Sequence, residues 1–292
     1  MTTLHQLYQR MIDAMGVAGL NIPLTAVKFF RHNDPIPAAV LDYKPDNITL
    51  TSCQANKQAA LGDAVLLTRD NIGCVAAAIT FGLVDQHERQ PLSGSRVYTD
   101  LMKKQSDLGD RFQPPTPHDF TEGIVYACRA AGRPDFALFG KEDSGRFQTP
   151  EIARHAIQEM SAIQPAIMKG VFFYAHTFDE IDLIPDVITL DVRPVELTRI
   201  IQAYQFLTGK RVNASMGPVR VVNSDLIVRP YLTQEINFSS YCIGARLIAQ
   251  YDPNRLGMGI PFSRFEEIVC GMEASRTGYP FHLYPGANMD AA

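Results

Sequence analysis

Helix-type and strand-type apolar patterns alternate along the whole chain, and this alternation limits the folds that the chain can adopt. An apolar stripe over residues 4–18 predicts a first helix, and an extended apolar segment follows at 24–30. In the second half, a Thr-Pro pair at 149–150 starts a helix, and strand-like segments follow at 171–174 and 187–192. The alternation favours a mixed α/β (α+β) protein, in which helices are layered on a sheet, over a helical bundle or a β-sandwich.

The last third of the chain gives a clearer pattern than the middle. Pro194 opens a helix that Gly209 ends, and the apolar segments 219–222 and 226–228 are typical of strands. Residues 85–122 are the least regular part, because several prolines interrupt any period there. We interpret that part either as a loop over a site or as a plain surface connection.

The length and composition are those of an ordinary globular protein. The chain has 292 residues, of which 46% are hydrophobic and 20% are charged, so it can bury a sizeable core. We find no clean internal repeat and no linker that would separate independent domains. We therefore predict a single domain over residues 1–292, with a subdivision near residue 140 as the alternative.

The charge pattern argues against two classes of partner. Lys and Arg total 27 against 31 Asp and Glu, a net charge of −4, and no dense basic run occurs. We therefore expect neither nucleic acid nor a membrane surface as a partner. The longest apolar run, Gly73 to Val84, is too short to span a bilayer, and the charged, amphipathic N-terminus does not resemble a secretory signal. We expect a cytoplasmic protein, and a homo-oligomer is compatible with the sequence.

Three of the five cysteines share one local context. In a reducing cytosol, cysteines scattered over a long chain are more often metal ligands or catalytic groups than disulfide partners. A good helix cap, Ser52, precedes Cys53, and a turn precedes the helical pattern that Cys74 opens. Small polar residues likewise precede Cys242, and a helical pattern follows it. Each of these three cysteines is therefore predicted at the start of a helix.

A helix start suits a negatively charged sulfur. Free backbone N–H groups and the helix dipole stabilise a thiolate there and lower the pKa of the cysteine. Lys57 follows Cys53 by four residues and Arg246 follows Cys242 by four, so each cation is predicted one turn away on the same face. We interpret Lys57 and Arg246 as candidate catalytic residues, which offset the charge of a thiolate centre and hold an anionic substrate.

A second interpretation of these cysteines stays open, because a cysteine beside alanine and valine is often a small buried core residue. The separations of 21 and 168 residues match no zinc-ribbon or ferredoxin spacing, so only the repeated helix-start context distinguishes the three. The remaining two cysteines look different. Cys128 is typical of core packing, and Cys270 points off the apolar face of its helix and is interpreted as a bystander.

Two other side chains are candidates for a site. His118 lies beside Asp119 in a proline-rich segment, where it is either a catalytic acid/base or ligand, or a solvated loop residue. Lys28 interrupts an apolar strand, so it either faces solvent or is a partly buried cation near an anion. The sequence contains no Walker, Rossmann, G-x-S-x-G or His-Glu-x-x-His motif.

Several short motifs occur together, in one order, from about residue 20 to residue 272. They are Pro23-Leu24 with Val27-Lys28-Phe29, Cys53-Gln54-Ala55 with Lys57, Cys74 with the Ala-rich run to Phe81-Gly82-Leu83, Arg229-Pro230-Tyr231-Leu232-Thr233, Cys242-Ile243-Gly244-Ala245-Arg246, and Gly259-Ile260-Pro261 leading to Glu266-Glu267-Ile268-Val269. The set resembles the prokaryotic family catalogued as domain of unknown function 169. The resemblance implies no settled activity.

The resemblance does imply cysteines at the positions of Cys53, Cys74 and Cys242, which the local sequence also singles out. The chain departs from the family pattern in two places. The usual Pro-Gly after the second cysteine is Val75-Ala76 here, and a further cysteine often present before the Arg-Pro segment is replaced near Asn223. If that position is a ligand in relatives, this chain retains three thiols.

The leading hypothesis is a 4Fe–4S iron–sulfur protein. Cys53, Cys74 and Cys242 would each bind one iron and leave the fourth iron open to a small anionic substrate. Such an iron is a Lewis acid for non-redox chemistry of the lyase or hydrolase type, so an enzyme is favoured. Zinc at the same thiolates is the alternative metal. Two further alternatives are a metal-free enzyme with a reactive cysteine, Cys53 first, and a non-catalytic sensor of a small molecule or metal.

Overall fold

Helices and a β-sheet make up the part of the chain that the computed structural model describes, which is residues 2–17, 19–45, 49–95, 100, 103–104, 114–127 and 145–276. Ten α-helices lie in these ranges: α1 (Leu4–Met15), α2 (Ala38–Leu41), α3 (Ser52–Ala60), α4 (Val75–Thr80), α5 (Pro117–Thr121), α6 (Pro150–Gln158), α7 (Pro194–Thr208), α8 (Arg229–Thr233), α9 (Ile243–Ile248) and α10 (Phe262–Ala274). Six strands lie there too: β1 (Leu24–Arg31), β2 (Ala64–Leu67), β3 (Met168–Tyr174), β4 (Val187–Val192), β5 (Asn237–Ser239) and β6 (Leu256–Pro261). They form an antiparallel sheet in the order β2-β3-β1-β4-β6-β5, so the predicted mixed α/β (α+β) class is confirmed.

Strand β4 is central and buried. It pairs antiparallel with β1 on one side and with β6 on the other, so Leu190 lies opposite both Leu24 and Met258. Strand β6 pairs in turn with β5, where Phe238 lies opposite Met258. Every residue of β4 except Asp191 is buried, which means that both faces of this strand are covered.

The chain forms two compact units, and each unit combines several stretches of sequence. Unit 1 takes its residues from 1–28, 56–64 and 173–292, and unit 2 takes its residues from 29–55 and 65–172. Neither unit is one continuous stretch of chain. A subdivision near residue 140, which the sequence offered as the alternative to a single domain, lies outside the described residues.

Unit 1 begins with the amphipathic helix that the sequence predicted. Helix α1 starts at a capping box, in which Thr3 Oγ1 accepts the N–H of Gln6 (3.2 Å) and Gln6 Oε1 accepts the N–H of Thr3 (2.9 Å). Its stripe is buried at Leu7, Met11 and Met15. Helix α10 packs against α1 and against α7. No helix in the described ranges combines the length and the apolar character that crossing a membrane requires.

No strand forms at 219–222 or 226–228, where the sequence predicted two: residues 219–220 form a bend, and residues 221–228 are a buried helix. Val222–Val228 form a π-helix that continues directly into α8. All seven of its residues are buried, so its apolar side chains show no one-sided period, and a short apolar run of this kind cannot be told from a strand by its pattern. The helix lies directly on two glycines of β6. A Cβ atom at Gly257 would be 2.4 Å from Leu226 Cδ1, and one at Gly259 would be 2.0 Å from the Leu226 carbonyl oxygen.

Unit 2 contains two segments that run side by side. Leu50 and Ile72 form an isolated parallel bridge, and the N–H of Gly73 donates to the Leu50 carbonyl oxygen (2.8 Å). Gly94 also lies directly against Ile72, because a Cβ atom added at Gly94 would be 2.4 Å from the Ile72 carbonyl oxygen. Helix α3 follows the first segment, and α4, whose six residues are all buried, follows the second.

Candidate functional site

Cys53 lies in the first turn of α3, as predicted, but the cap is a different residue. Thr51 Oγ1 accepts the N–H of Gln54 (3.2 Å), and Gln54 Oε1 accepts the N–H of Thr51 (2.9 Å). This reciprocal pair is a capping box, so Thr51 caps the helix and Ser52 is its first residue. The Cys53 side chain is buried, with 8% of the residue exposed.

Cys74 is the residue directly before α4, and it is half-buried. Its backbone is extended, and its carbonyl oxygen accepts the N–H of Ala78 (3.0 Å), which closes the first turn of the helix. The predicted helix start at this cysteine is confirmed.

Unit 2 places these two helix starts at the same end of a parallel pair. Cys53 lies three residues after Leu50, and Cys74 lies two residues after Ile72, its bridge partner. Because parallel segments run in the same direction, about 4.8 Å apart, the helices that follow them begin side by side. Two cysteines separated by 21 residues of sequence therefore follow one backbone bridge.

Cys242 caps α9 in unit 1, and the residue before it is strained. Tyr241 has a φ of 61°, a left-handed conformation that is rare for a bulky residue. Its N–H donates to Ser239 Oγ (3.1 Å), and its hydroxyl donates to Asp191 Oδ1 (2.8 Å). Its ring stacks on Tyr251, with 4.2 Å between the ring centroids. Cys242 is half-buried at the end of this fixed turn.

Lys57 and Arg246 both support the chain around Cys242. Lys57 Nζ donates to the Gln250 carbonyl oxygen (2.6 Å) and lies 5.6 Å from the centre of the Tyr251 ring. Arg246 donates to the carbonyl oxygens of Ser240 (2.6 Å) and Asp252 (3.2 Å). Both cations thus fasten the segment 240–252. Their predicted role in holding an anionic substrate stays a prediction.

A carboxyl group that the sequence reasoning missed lies near Cys242. Asp225 belongs to the buried π-helix, and its Oδ2 accepts the N–H of Gly217 (3.1 Å). Burial raises the pKa of Asp225 to about 7, the Arg229 charge lowers it, and the Cys242 charge raises it further. An aspartate between two short apolar stretches, Val221-Val222 and Leu226-Ile227-Val228, was the sequence signal that could have identified it.

Asp191, which accepts the Tyr241 hydrogen bond, belongs to a partly buried group of charged residues. Arg255 Nε is 3.2 Å from Asp191 Oδ2, and Arg255 Nη2 is 3.4 Å from Glu196 Oε2. Burial raises the pKa of Asp191, while the Tyr241 hydroxyl and the Arg255 charge lower it. The hydroxyl of Tyr241 is therefore one of three groups, with the Arg255 and Lys57 charges, that lower the pKa of this carboxylate.

The other candidate residues lie elsewhere. His118 is half-buried in α5, a short helix that Thr116 and Asp119 cap, and its role as an acid/base stays a prediction. Lys28 Nζ is 3.1 Å from Asp186 Oδ1, which confirms the partly buried alternative. Cys270 is exposed on α10, off the apolar face as predicted. Cys128 lies outside the described residues.

The described side chains contain no ready-made site for a single metal ion. No three histidine, cysteine, aspartate or glutamate side chains lie together there in a group that could hold one. Asn223, near the position at which the resemblance implied a further cysteine, is buried in the π-helix.

Comparisons with known proteins place the chain in a family. A sequence model of the family described as "DUF169: Uncharacterised ArCR, COG2043" matches residues 17–271. An uncharacterized protein of Methanocaldococcus jannaschii is 25% identical over 132 residues, which are 45% of this chain and 55% of that protein. The chain thus spans about half the length of that relative. No solved structure matches the chain. Because the family model covers most of the chain, this protein belongs to the DUF169 family.

Proposed function

We propose that this protein binds a 4Fe–4S cluster through Cys53, Cys74 and Cys242 and that it acts on a small anionic substrate. The parallel pairing of Leu50 with Ile72 carries the proposal, because Cys53 and Cys74 follow these two bridged residues by three and two positions. Cys242 would supply the third thiolate. All three cysteines begin helices, where backbone N–H groups stabilise a negative sulfur.

The donor set suits a cluster better than a single ion. A cubane binds each cysteine to a different iron, so its ligands do not have to converge on one point. Zinc at the same thiolates would need its ligands around one ion, and it stays the alternative metal. When bound, an iron without a protein ligand would supply a Lewis acid for the substrate.

Metal analysis of protein purified without oxygen tests the cluster. We expect iron and acid-labile sulfide in equal amounts and a broad visible absorption, with each reduced strongly in Cys53→Ser, Cys74→Ser and Cys242→Ser. Cys270→Ser is the matched control, because Cys270 is exposed on α10, and it should retain the full iron content. A folded, colourless protein without iron would overturn the proposal, and zinc in place of iron would support the alternative metal.

A metal-free enzyme with a reactive cysteine is the second candidate, and the structure favours Cys242 for it over Cys53. A reactive thiol needs access to its substrate, and Cys53 is buried whereas Cys242 is half-buried. Asp225, with a pKa raised to about 7 by burial, is suited to accept the thiol proton near neutral pH.

Thiol reactivity separates this candidate from the cluster. We expect Cys242 to be alkylated faster than Cys53 in iron-free protein, and Asp225→Asn to slow that reaction. Equal rates in Asp225→Asn and the unmodified chain would contradict a base at this position. The non-catalytic sensor, the third possibility raised by the sequence, predicts ligand binding without turnover.

A further inference from the structure

Arg220 is a buried cation whose donors are not all used. The residue is 6% exposed and is followed directly by the buried π-helix. Its Nε and Nη2 atoms are buried and have no hydrogen-bond partner among the described residues. Removing a charge from water is costly unless the charge is paired, and buried donors without acceptors add to that cost. A feature of this kind calls for an acceptor that is not part of the described chain.

The two unused atoms lie on one edge of the guanidinium group. Nε–H and one N–H of Nη2 point in parallel, at the spacing of the two oxygens of a carboxylate. The planar fork is specific for such a pair of oxygens, whereas a point charge such as lysine is not. The unused edge of Arg220 therefore matches one carboxylate bound through two hydrogen bonds.

The backbone holds this side chain in a strained position. Arg220 has a φ of 58°, in the left-handed region, and its carbonyl oxygen accepts the N–H groups of Asn223 (3.0 Å) and Ser224 (2.9 Å). A long side chain in this conformation persists only where its surroundings fix it, and both strain and π-helices concentrate at functional sites. The buried neighbours Val219 and Val221 offer no polar group to the guanidinium from their side chains.

We propose that Arg220 binds the carboxylate of a small molecule through Nε and Nη2. This site lies beyond the proposed cluster and needs no iron. The guanidinium edge is enclosed, so the ligand enters when nearby chain moves. The preceding segment, 209–218, is irregular and largely exposed, and it is fastened by hydrogen bonds from Ser215 to Asn237 (2.9 Å) and from Gly217 to Asp225 (3.1 Å).

Ligand-dependent thermal stability tests the site. Acetate, succinate and inorganic phosphate are added to the purified full chain at constant ionic strength and pH, and the unfolding midpoint is followed. We expect a carboxylate to raise the midpoint of the unmodified chain, with binding about tenfold weaker or more in Arg220→Gln, because two charge-assisted hydrogen bonds are lost. Arg211→Gln, which removes the same charge from an exposed position nearby, should bind as the unmodified chain does.

Further measurements keep the test decisive. Arg220→Lys retains the charge without the fork, so it should also bind weakly even if Arg220→Gln does not fold. Cys53→Ser should keep the carboxylate response, which separates this site from the cluster. The proposal is overturned if no carboxylate stabilises the unmodified chain, if both Arg220 variants respond as it does, or if phosphate alone is effective.

Discussion

Tyr241 fixes the turn before Cys242 through contacts made by its side chain. The left-handed conformation of a tyrosine costs energy, and it is offset here by the hydrogen bond to Asp191 and by the stack on Tyr251. The same hydrogen bond satisfies a carboxylate whose pKa burial raises. The conformation of the turn and the ionisation of Asp191 are thus linked through one hydroxyl group.

Tyr241→Phe removes only one hydroxyl group, but it should destabilise the protein measurably. The substitution keeps the stacked ring but removes a hydrogen bond to a partly buried carboxylate, which should cost about 1–3 kcal/mol of the free energy of unfolding. Tyr204→Phe is the control, because the Tyr204 hydroxyl has no partner in the described part of the chain, and it should change stability by less than about 0.5 kcal/mol. Urea unfolding of both variants measures the difference, and equal losses would refute the role of Asp191.

A pair of histidines gives unit 1 a specific acid sensitivity. His5 Nδ1 and His176 Nδ1 are 3.0 Å apart, with nearly coplanar rings whose centroids are 5.2 Å apart, so one nitrogen donates to the other in line. Burial, and then the His5 charge, lower the pKa of His176 to about 4. Below pH 6.5 the unfolded chain takes up a proton that the folded chain resists, so stability should fall from pH 6.5 toward pH 4.

The slope of stability against pH tests this contribution. His176→Asn should show a smaller loss of unfolding free energy between pH 7 and pH 4.5 than the unmodified chain, because the group that resists protonation is gone. His155→Asn, at an exposed histidine of α6, should keep the original slope. An unchanged slope in His176→Asn would mean that other groups account for the acid sensitivity.

At the scale of elements, the apolar periodicity of the sequence identified the helices that bury one face. It did not identify the π-helix, whose residues are all buried. Helix α1 has a clear stripe, and its residues Leu7, Met11 and Met15 are buried as predicted. Four of the seven residues of the π-helix are valine, leucine or isoleucine, and these residues also favour strands. The helix packs against Gly257 and Gly259 of β6, which are distant in sequence, so the local pattern does not show this contact.

Gly259→Ala should therefore disrupt the packing of the π-helix on β6. The new methyl group would be 2.0 Å from the backbone oxygen of Leu226, which cannot rotate away as a side chain does. We expect a loss of about 3 kcal/mol or more, or failure to fold. Gly244→Ala is the control, and it should stabilise the protein. Its new methyl group would meet only Cys242 Sγ at 3.8 Å, and alanine favours the α9 helix by up to about 1 kcal/mol. Thermal unfolding compares the two.

At the scale of the whole molecule, the sequence identified which cysteines begin helices but not which side chains surround them. Local caps and turns are enough to place Cys53, Cys74 and Cys242, because helix starts depend on neighbouring residues. The interactions around the Cys242 segment come from distant parts of the chain: the Asp225 charge interacts with Cys242, and Lys57 of α3 donates to the Gln250 carbonyl oxygen. These contacts depend on the tertiary structure, so the local patterns of a single sequence do not predict them.

The order in which the cysteines react with iodoacetamide should distinguish the two candidate functions. If a cluster is bound, Cys270, exposed on α10, should react first, while Cys53, Cys74 and Cys242 stay protected until an iron chelator is added. If the protein is metal-free, Cys242 should react without chelator, and Cys53, which is buried, should react slowest of the three. Peptide mass spectrometry after timed labelling reports each site. Because a cluster protects the three thiols together and burial protects them unequally, simultaneous release by chelator is the result that burial alone cannot produce.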